Sequence, residues 1–353
     1  MSLLFTHYAP RSACRFSARN LMAESLWGIL CILGLVGAFI GQGTVTLAED
    51  RITYRSTSGL ETRIRTGAVT GYEDGEFRFQ VQEGGELKVP ASRVLGLEFE
   101  GSEEWQSGLE AWRAGRWQES FDLLVKAYRA ENRDWAKYEI QALLVRCAYA
   151  TGRYALACQG HLQLLEDDPK TRHFHGIPLS WQRGDNDANL IRDAEVWLVS
   201  SVPLERLLGA SWLLTTAKQP QALEVLAELA RSEDERIAGL AQAQSWRPQV
   251  PRADQKQLSS WRRNAQRLPA DLQAGPQWLI AQVASRIAGE DRAAIDFLKI
   301  AVDARAQEGL RAEALLGAAR QLQETQPQEV EQLLKELKEK YSESEAWQIG
   351  QRL

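Results

Sequence analysis

The chain has 353 residues, a net charge of −5 and a pI near 5.6, which argues against a protein built around nucleic acid or an anionic membrane surface. With 44% hydrophobic and 25% charged residues it reads as a folded chain with room for two or three domains. Its four cysteines are too few for a disulfide-built fold.

The N-terminal region 1–48 reads as a leader. Arg11, Arg15 and Arg19 precede an apolar run from Leu26 to Ile40, and Gly41 to Leu47 then leads to Ala48-Glu49-Asp50. That order is the positive, apolar, small-residue pattern of a secretory signal, with Thr46-Leu47-Ala48 as an acceptable cleavage site. The uninterrupted run is about 15 residues, short of the about 20 that span a bilayer. Extended through to Leu47 it just reaches, so a retained transmembrane anchor is the second reading. In both cases the arginines stay inside and the remainder is expected outside the cytoplasm, in the periplasm or cell envelope. Met22 offers an alternative start, but one without the positive residues.

Between 49 and 100 the hydrophobic period becomes two. Ile52 and Tyr54, then Ile64, Val69, Phe77, Phe79 and Val81, then Leu87 and Val89, then Val94, Leu97 and Phe99 give the signals of four or five short strands. Asp74-Gly75 and Gly84-Gly85 are the hairpin turns between them. Thr66-Gly67-Ala68-Val69-Thr70-Gly71, Leu87-Lys88-Val89-Pro90 and Val94-x-Gly96-Leu97-Glu98-Phe99 resemble an SH3-like or Sm-like small β-barrel. Such barrels serve many partners, so this resemblance carries fold and no function. A segment this small buries a thin core and is expected to lean on the helices that follow.

Residues 101–171 write one helical hairpin twice. Trp105-x-x-Gly108-x-x-Ala111, Gly115-x-Trp117-x-x-Ser120, Leu124 and Ala127 form the first copy. Leu144-Val145-x-x-Ala148, Gly152-x-Tyr154-x-x-Ala157, Leu164 and Pro169 form the second, with Gly115 and Gly152 37 residues apart. These residues resemble the tetratricopeptide repeat (TPR), in which small residues sit where two helices touch and Gly occupies the turn. The segment 172–189 interrupts the pattern as an ordered loop, with His173 and His175 read as exposed rather than as metal ligands. Asp185-x-Asp187-x-Asn189 starts like a calcium loop, but Leu190 and Val196 stand where Gly and Glu belong, so it is read as a helix cap. Residues 190–250 are similar to HEAT-type helices, most clearly at Ser232-Glu233-Asp234-Glu235-Arg236-Ile237-Ala238, and Pro248 and Pro251 mark a tight turn. Residues 251–353 return to TPR-like hairpins, around Trp278, Gly289 and Ala301, then Ala318, Val330 and Leu337. Thr325 and Ser342 there replace the family's Gly and Pro. The basic cluster Lys256 to Arg267 is read as a solvated helix face.

The expected fold is therefore mainly α: a TPR-like α-solenoid of antiparallel helix pairs, preceded by a small all-β barrel and a hydrophobic leader helix. A single hairpin exposes an apolar face that only a neighbour covers, and stacked hairpins create a concave groove. The resemblance implies that the first helix of each pair lines it, which carries over to Trp105, Leu109, Trp112 and Arg113 in the first copy. In the second copy it carries over to Glu139, Arg146 and Tyr149. The competing reading packs Trp105 and Trp112 on the β segment. Cys147 and Cys158 flank the Gly152 turn, either as a disulfide in an oxidising compartment or as two small buried hydrophobes.

No Gly-x-Ser-x-Gly, His-Glu-x-x-His, phosphate loop or Cys-x-x-Cys occurs in the chain. The expected function is a non-catalytic exported scaffold that binds a protein or peptide, with no cofactor, metal or nucleic acid. A membrane-anchored assembly factor and a glycan-binding or envelope-polymer-binding module using the tryptophans are the alternatives.

Overall fold

The structure, a computed structural model, describes residues 49–59, 61–182, 187–287, 290–303 and 305–353. The leader 1–48, Gly184, Asp185 and the turn at Gly289 lie outside the described residues. Five strands come first: β1 (Asp50–Arg55), β2 (Thr62–Glu73), β3 (Glu76–Val81), β4 (Glu86–Pro90) and β5 (Val94–Glu98). They form one antiparallel sheet in the order β4-β3-β2-β1-β5. Ile52 stands opposite Arg65 on one side and Leu97 on the other, and Phe77 opposite Tyr72 and Val89. The period-two pattern buries Ile52, Tyr54, Phe77, Phe79 and Val89. The expected barrel is an open sheet in its hydrogen bonding, because β4 and β5 are its two edges and do not pair with each other.

The rest is helical. The first hairpins are α1 (Glu103–Arg113), α2 (Trp117–Ala130), α3 (Asp134–Ala150) and α4 (Tyr154–Asp167). A packed loop with a single 3₁₀ turn at Phe174–Gly176 leads to α5 (Ala188–Leu198), α6 (Pro203–Leu213), α7 (Gln219–Leu229) and α8 (Glu235–Gln244). A 3₁₀ segment, Arg247–Arg252, holds Pro248 and Pro251 and precedes α9 (Gln255–Ala265). Then follow α10 (Ala274–Ile287), α11 (Glu290–Ala301), α12 (Glu308–Leu322), α13 (Pro327–Tyr341) and the short α14 (Glu345–Gly350). Several starts are chemically marked. The Ser102 hydroxyl accepts from Trp105 N–H, Asp187 caps α5, and Asp254 with Gln257 forms a reciprocal capping box on α9. No helix among the described residues is long and apolar enough to cross a membrane.

The repeat is visible bond by bond. At the α1–α2 turn Gly115 N–H donates to Trp112 O and Arg116 N–H to Ala111 O. At the α3–α4 turn Gly152 donates to Tyr149 O and Arg153 to Ala148 O. Both glycines sit at φ +73°, the left-handed region where a side chain is strained. α2 and α4 have the same length of 14 residues at the same offset.

Two cores result. The sheet shares one with α1–α4, through Ile52, Phe79, Phe99, Trp105, Leu124, Trp135 and Ile140. The dependence of the sheet on its following helices thus has a physical form: one apolar cluster covers both. The larger core takes Trp117 and Cys158 from the first hairpins and runs from Phe174 through Ala346. The last helices also come back to the first hairpins. Trp117 packs against Tyr341 with ring centroids 6.0 Å apart, Arg146 pairs with Glu308, and Gln307 Nε2 donates to Ile177 O at 3.1 Å. The basic stretch of α9 buries Trp261, stacked on Trp246 at 5.1 Å, and sends Arg262 to Asp296.

Candidate functional site

A cleft of about 570 Å³ opens where the sheet, the first two hairpins and the 171–176 loop meet. One wall is chain entering and leaving the sheet: Glu49, then Leu97, Glu98, Phe99 and Glu100. The second is α1, contributing Trp105, Gln106, Leu109 and Arg113, spaced so that they fall on one helix face. The third is α3, with Glu139, Ala142, Leu143, Val145 and Arg146. His161 and Leu164 of α4, with His173, His175 and Gly176, complete it.

Five of the seven residues expected to line a groove therefore converge here: Trp105, Leu109, Arg113, Glu139 and Arg146. The repeat explains the convergence, because positions 105 and 142, and 109 and 146, correspond at the offset of the two glycines. Trp105 is both wall and core. It is 6% exposed and stacks on Phe99 at 4.8 Å, so the reading that packed it on the β segment also applies. Trp112 and Tyr149 do not line the cleft. They are corresponding positions turned to the junction of the two cores, where Trp112 receives the Arg146 guanidinium over its ring at 5.0 Å. The Tyr149 hydroxyl donates to Leu179 O at 3.0 Å. Burial pushes that phenol well above its ordinary value.

Of the two readings of Cys147 and Cys158, the structure supports the small buried hydrophobes and not the disulfide. Both thiols are free and buried, Cys147 against Ser120 in the sheet-side core and Cys158 against Pro178 O in the larger one. Burial pushes the Cys147 thiol up to about 12, which fits a small buried hydrophobe rather than a reactive thiol.

The loop histidines are also corrected. Far from exposed, the His173 side chain is 14% accessible and its Nε2 lies 3.0 Å from Glu139 Oε1. Arg172 holds both oxygens of Glu139 as a fork, at 2.8 and 2.6 Å. Burial alone would raise the Glu139 carboxyl; Arg172 and His173 outweigh it and hold it well below the usual carboxylate range. His175 donates to or accepts at Arg172 O through Nδ1 at 3.2 Å. Burial, reinforced by His173, pushes both His161 and His175 down to about 3, leaving them neutral.

The histidine of α4 was hidden from sequence reasoning. His161 is 1% exposed, and its Nε2 has no hydrogen-bond partner. It occupies the position of Leu124 in the first copy, which is fully buried. The signal lay in the repeat itself: a polar residue at a position whose counterpart is core. A neutral imidazole in that setting is ready to donate or accept one hydrogen bond.

Paired Glu and His beside a further imidazole is an arrangement that proton-transfer chemistry uses. Here both Glu139 oxygens are already taken by Arg172, and no Ser, Thr, Cys or Lys lines the cleft. Among the described residues no group of three or more His, Cys, Asp or Glu is placed to hold a metal. The cleft's lining is mixed: aromatic and aliphatic side chains share it with four glutamates, two arginines, three histidines and a glutamine.

No family model matches the chain, and neither curated proteins nor solved structures yield a significant match.

Proposed function

We propose that this protein is a non-catalytic, exported scaffold of the cell envelope that holds a peptide segment of a partner protein in the cleft between its sheet and its first two hairpins. In this reading the hairpins are TPR-like units, and the solenoid they begin is capped by the return of α12 and α13. The observation that carries it is His161: a fully buried imidazole nitrogen without a partner, lining the cleft at a position the sister hairpin fills with Leu124. Leaving such a group unsatisfied costs about 1–3 kcal/mol, which a ligand hydrogen bond recovers. Burial also favours peptide over glycan. Every tryptophan among the described residues is buried or half-buried, so none offers the open platform that a sugar ring stacks on.

Selection from a displayed random-peptide library, run on the wild type and on Leu109→Trp, tests this. Leu109 is a half-buried wall residue, and the indole would fill the cleft without entering the core. Peptides enriched on the wild type should lose binding to the variant and quench tryptophan fluorescence on the wild type. Enrichment that Leu109→Trp leaves untouched, or no enrichment, would sink the proposal.

A further inference from the structure

Charge is divided along the cleft. Glu98 and Glu100 flank Phe99, whose ring stacks on Trp105 at the start of α1 with centroids 4.8 Å apart. Arg51 faces Glu98 in the β1–β5 register, so Glu49, two residues before the one, and Glu100, two residues after the other, leave the sheet at the same end. All three glutamates are exposed. Only Glu98 has an ion pair among the described residues, to Arg51 at 3.0 Å, and both side chains there are more than half exposed, so the pair is screened.

Arg113 stands at the other end, two turns along the same face of α1 and about 12 Å from Trp105 by helix rise. It is exposed and has no ion pair among the described residues. Arg146 adds a second cation at that end, over the Trp112 ring at 5.0 Å, and shares it with Glu308. Glu139 is balanced by Arg172, so it leaves this polarity unchanged. Two wall residues also have buried ring nitrogens without a hydrogen-bond partner, Trp105 Nε1 and His161 Nε2. An extended backbone, with a donor and an acceptor on almost every residue, is a ligand that can satisfy both.

Resting on the peptide-binding reading above, we infer that the occupant is an extended segment with a basic and an acidic side chain four residues apart, the basic one at Glu49, Glu98 and Glu100 and the acidic one at Arg113. In an extended chain such residues lie about 13 Å apart and on one face, which matches the length over which the cleft changes sign. The residues between them are apolar, against the stretch of Leu97, Trp105 and Leu109. Charge complementarity of this kind fixes register and rejects segments with the wrong sign at either end.

The test uses the full chain and three capped pentapeptides with a common valine-alanine-valine centre. One has lysine and glutamate at its two ends, one has lysine at both and one has glutamate at both. At low ionic strength exposed charges are least screened. There, tryptophan fluorescence should report the lysine–glutamate peptide binding at least about tenfold tighter than either like-charged peptide, because each of those sets one charge against its own sign. A peptide of the same composition with lysine and glutamate adjacent should lose most of that advantage. Arg113→Glu should make the lysine–lysine peptide the tightest, and the double variant Glu98→Lys with Glu100→Lys should make the glutamate–glutamate peptide the tightest. The substituted residues are exposed, and circular dichroism checks that each variant is folded. An order unchanged by either variant, equal binding of spaced and adjacent charges, or no binding of the lysine–glutamate peptide each overturns the inference. If library peptides that lose binding on Leu109→Trp carry no such charge pair, the charge pairing falls while the peptide-binding reading stands. If no peptide binds, both fall.

Discussion

α2 and α4 cover equivalent stretches of two hairpins whose turns close with the same hydrogen bonds, yet one carries Leu124 where the other carries His161. The first hairpin is largely structural: α1 stacks Trp105 on Phe99, and its turn is pressed against the C-terminal hairpin. The second contributes Glu139, Arg146 and His161 to the cleft, against Gln106 and Arg113 from the first. α3 begins at Asp134, more than a turn earlier than the equivalent of α1's start, and this extension carries Glu139 to Arg172 and His173. A repeat thus fixes the backbone once, and its two copies are then free to diverge, one keeping Leu124 in the core and the other placing His161 at the cleft.

The sharpest way to break this contrast is at the helix starts. Glu139→Gln removes one member of a buried ion pair and leaves Arg172 uncompensated, with an expected loss of about 3–5 kcal/mol in urea denaturation at neutral pH. The corresponding position of the first copy is Ser102, whose hydroxyl only caps α1, so Ser102→Ala should cost about 1 kcal/mol. The pH dependence separates them further. Because the folded Glu139 carboxyl lies below its unfolded value, its stabilisation is present above about pH 4.3 and is lost as pH falls toward the folded value. Glu139→Gln should flatten that acid limb and Ser102→Ala should not. Equal losses from the two changes would place the two copies in the same structural role.

The turns offer the next test. Alanine at Gly152 meets no atom within 4 Å, so only the left-handed backbone is penalised, by about 1–2 kcal/mol. At Gly115 the same methyl runs into the Lys340 carbonyl oxygen, adding an overpacking cost of about 1–3 kcal/mol. Gly115→Ala should therefore be clearly less stable than Gly152→Ala and should loosen the contact of Trp117 with Tyr341, read as a change in tryptophan emission. If the two variants melt together, the C-terminal hairpin does not brace the first turn.

Much of this was legible in the sequence, for identifiable reasons. Alternation marked the strand region, most clearly in β1 and β3, where one face is buried, and Gly115 and Gly152 located two turns because only glycine is relaxed at φ +73°. The same periodicity brought Trp105, Leu109, Glu139 and Arg146 to the cleft. What stayed hidden depends on contacts between distant segments. Tyr149 and Trp112 turn to the core junction because Leu179 and Glu308, long-range neighbours, draw Tyr149 and Arg146 there. His173 reads as a polar loop residue until Glu139, on another element, is placed beside it. Sheet closure was likewise unreadable, since strand spacing gives the order of strands but not whether the last edge meets the first.

The substitution that most directly separates the two hairpins exchanges their differing residue. His161→Leu gives the second copy the residue of the first, removing an unsatisfied buried nitrogen, and should raise stability by about 1–3 kcal/mol at neutral pH. The pH profile provides a check independent of packing. Burial pushes His161 down to about 3 in the fold, whereas an unfolded histidine titrates near 6.5. Between those values the unfolded state binds the additional proton, so the wild type should lose stability as pH falls, with a slope from this group approaching about 1.4 kcal/mol per pH unit. His161→Leu should lose that part of the slope, leaving the contribution of His175, which burial lowers in the same way. A variant that is more stable and yet no longer binds library peptides would show that the imidazole is kept at a cost to the fold for the sake of the cleft. A variant less stable than the wild type at every pH would instead make His161 part of the packing, and the two hairpins would then differ in sequence without differing in task.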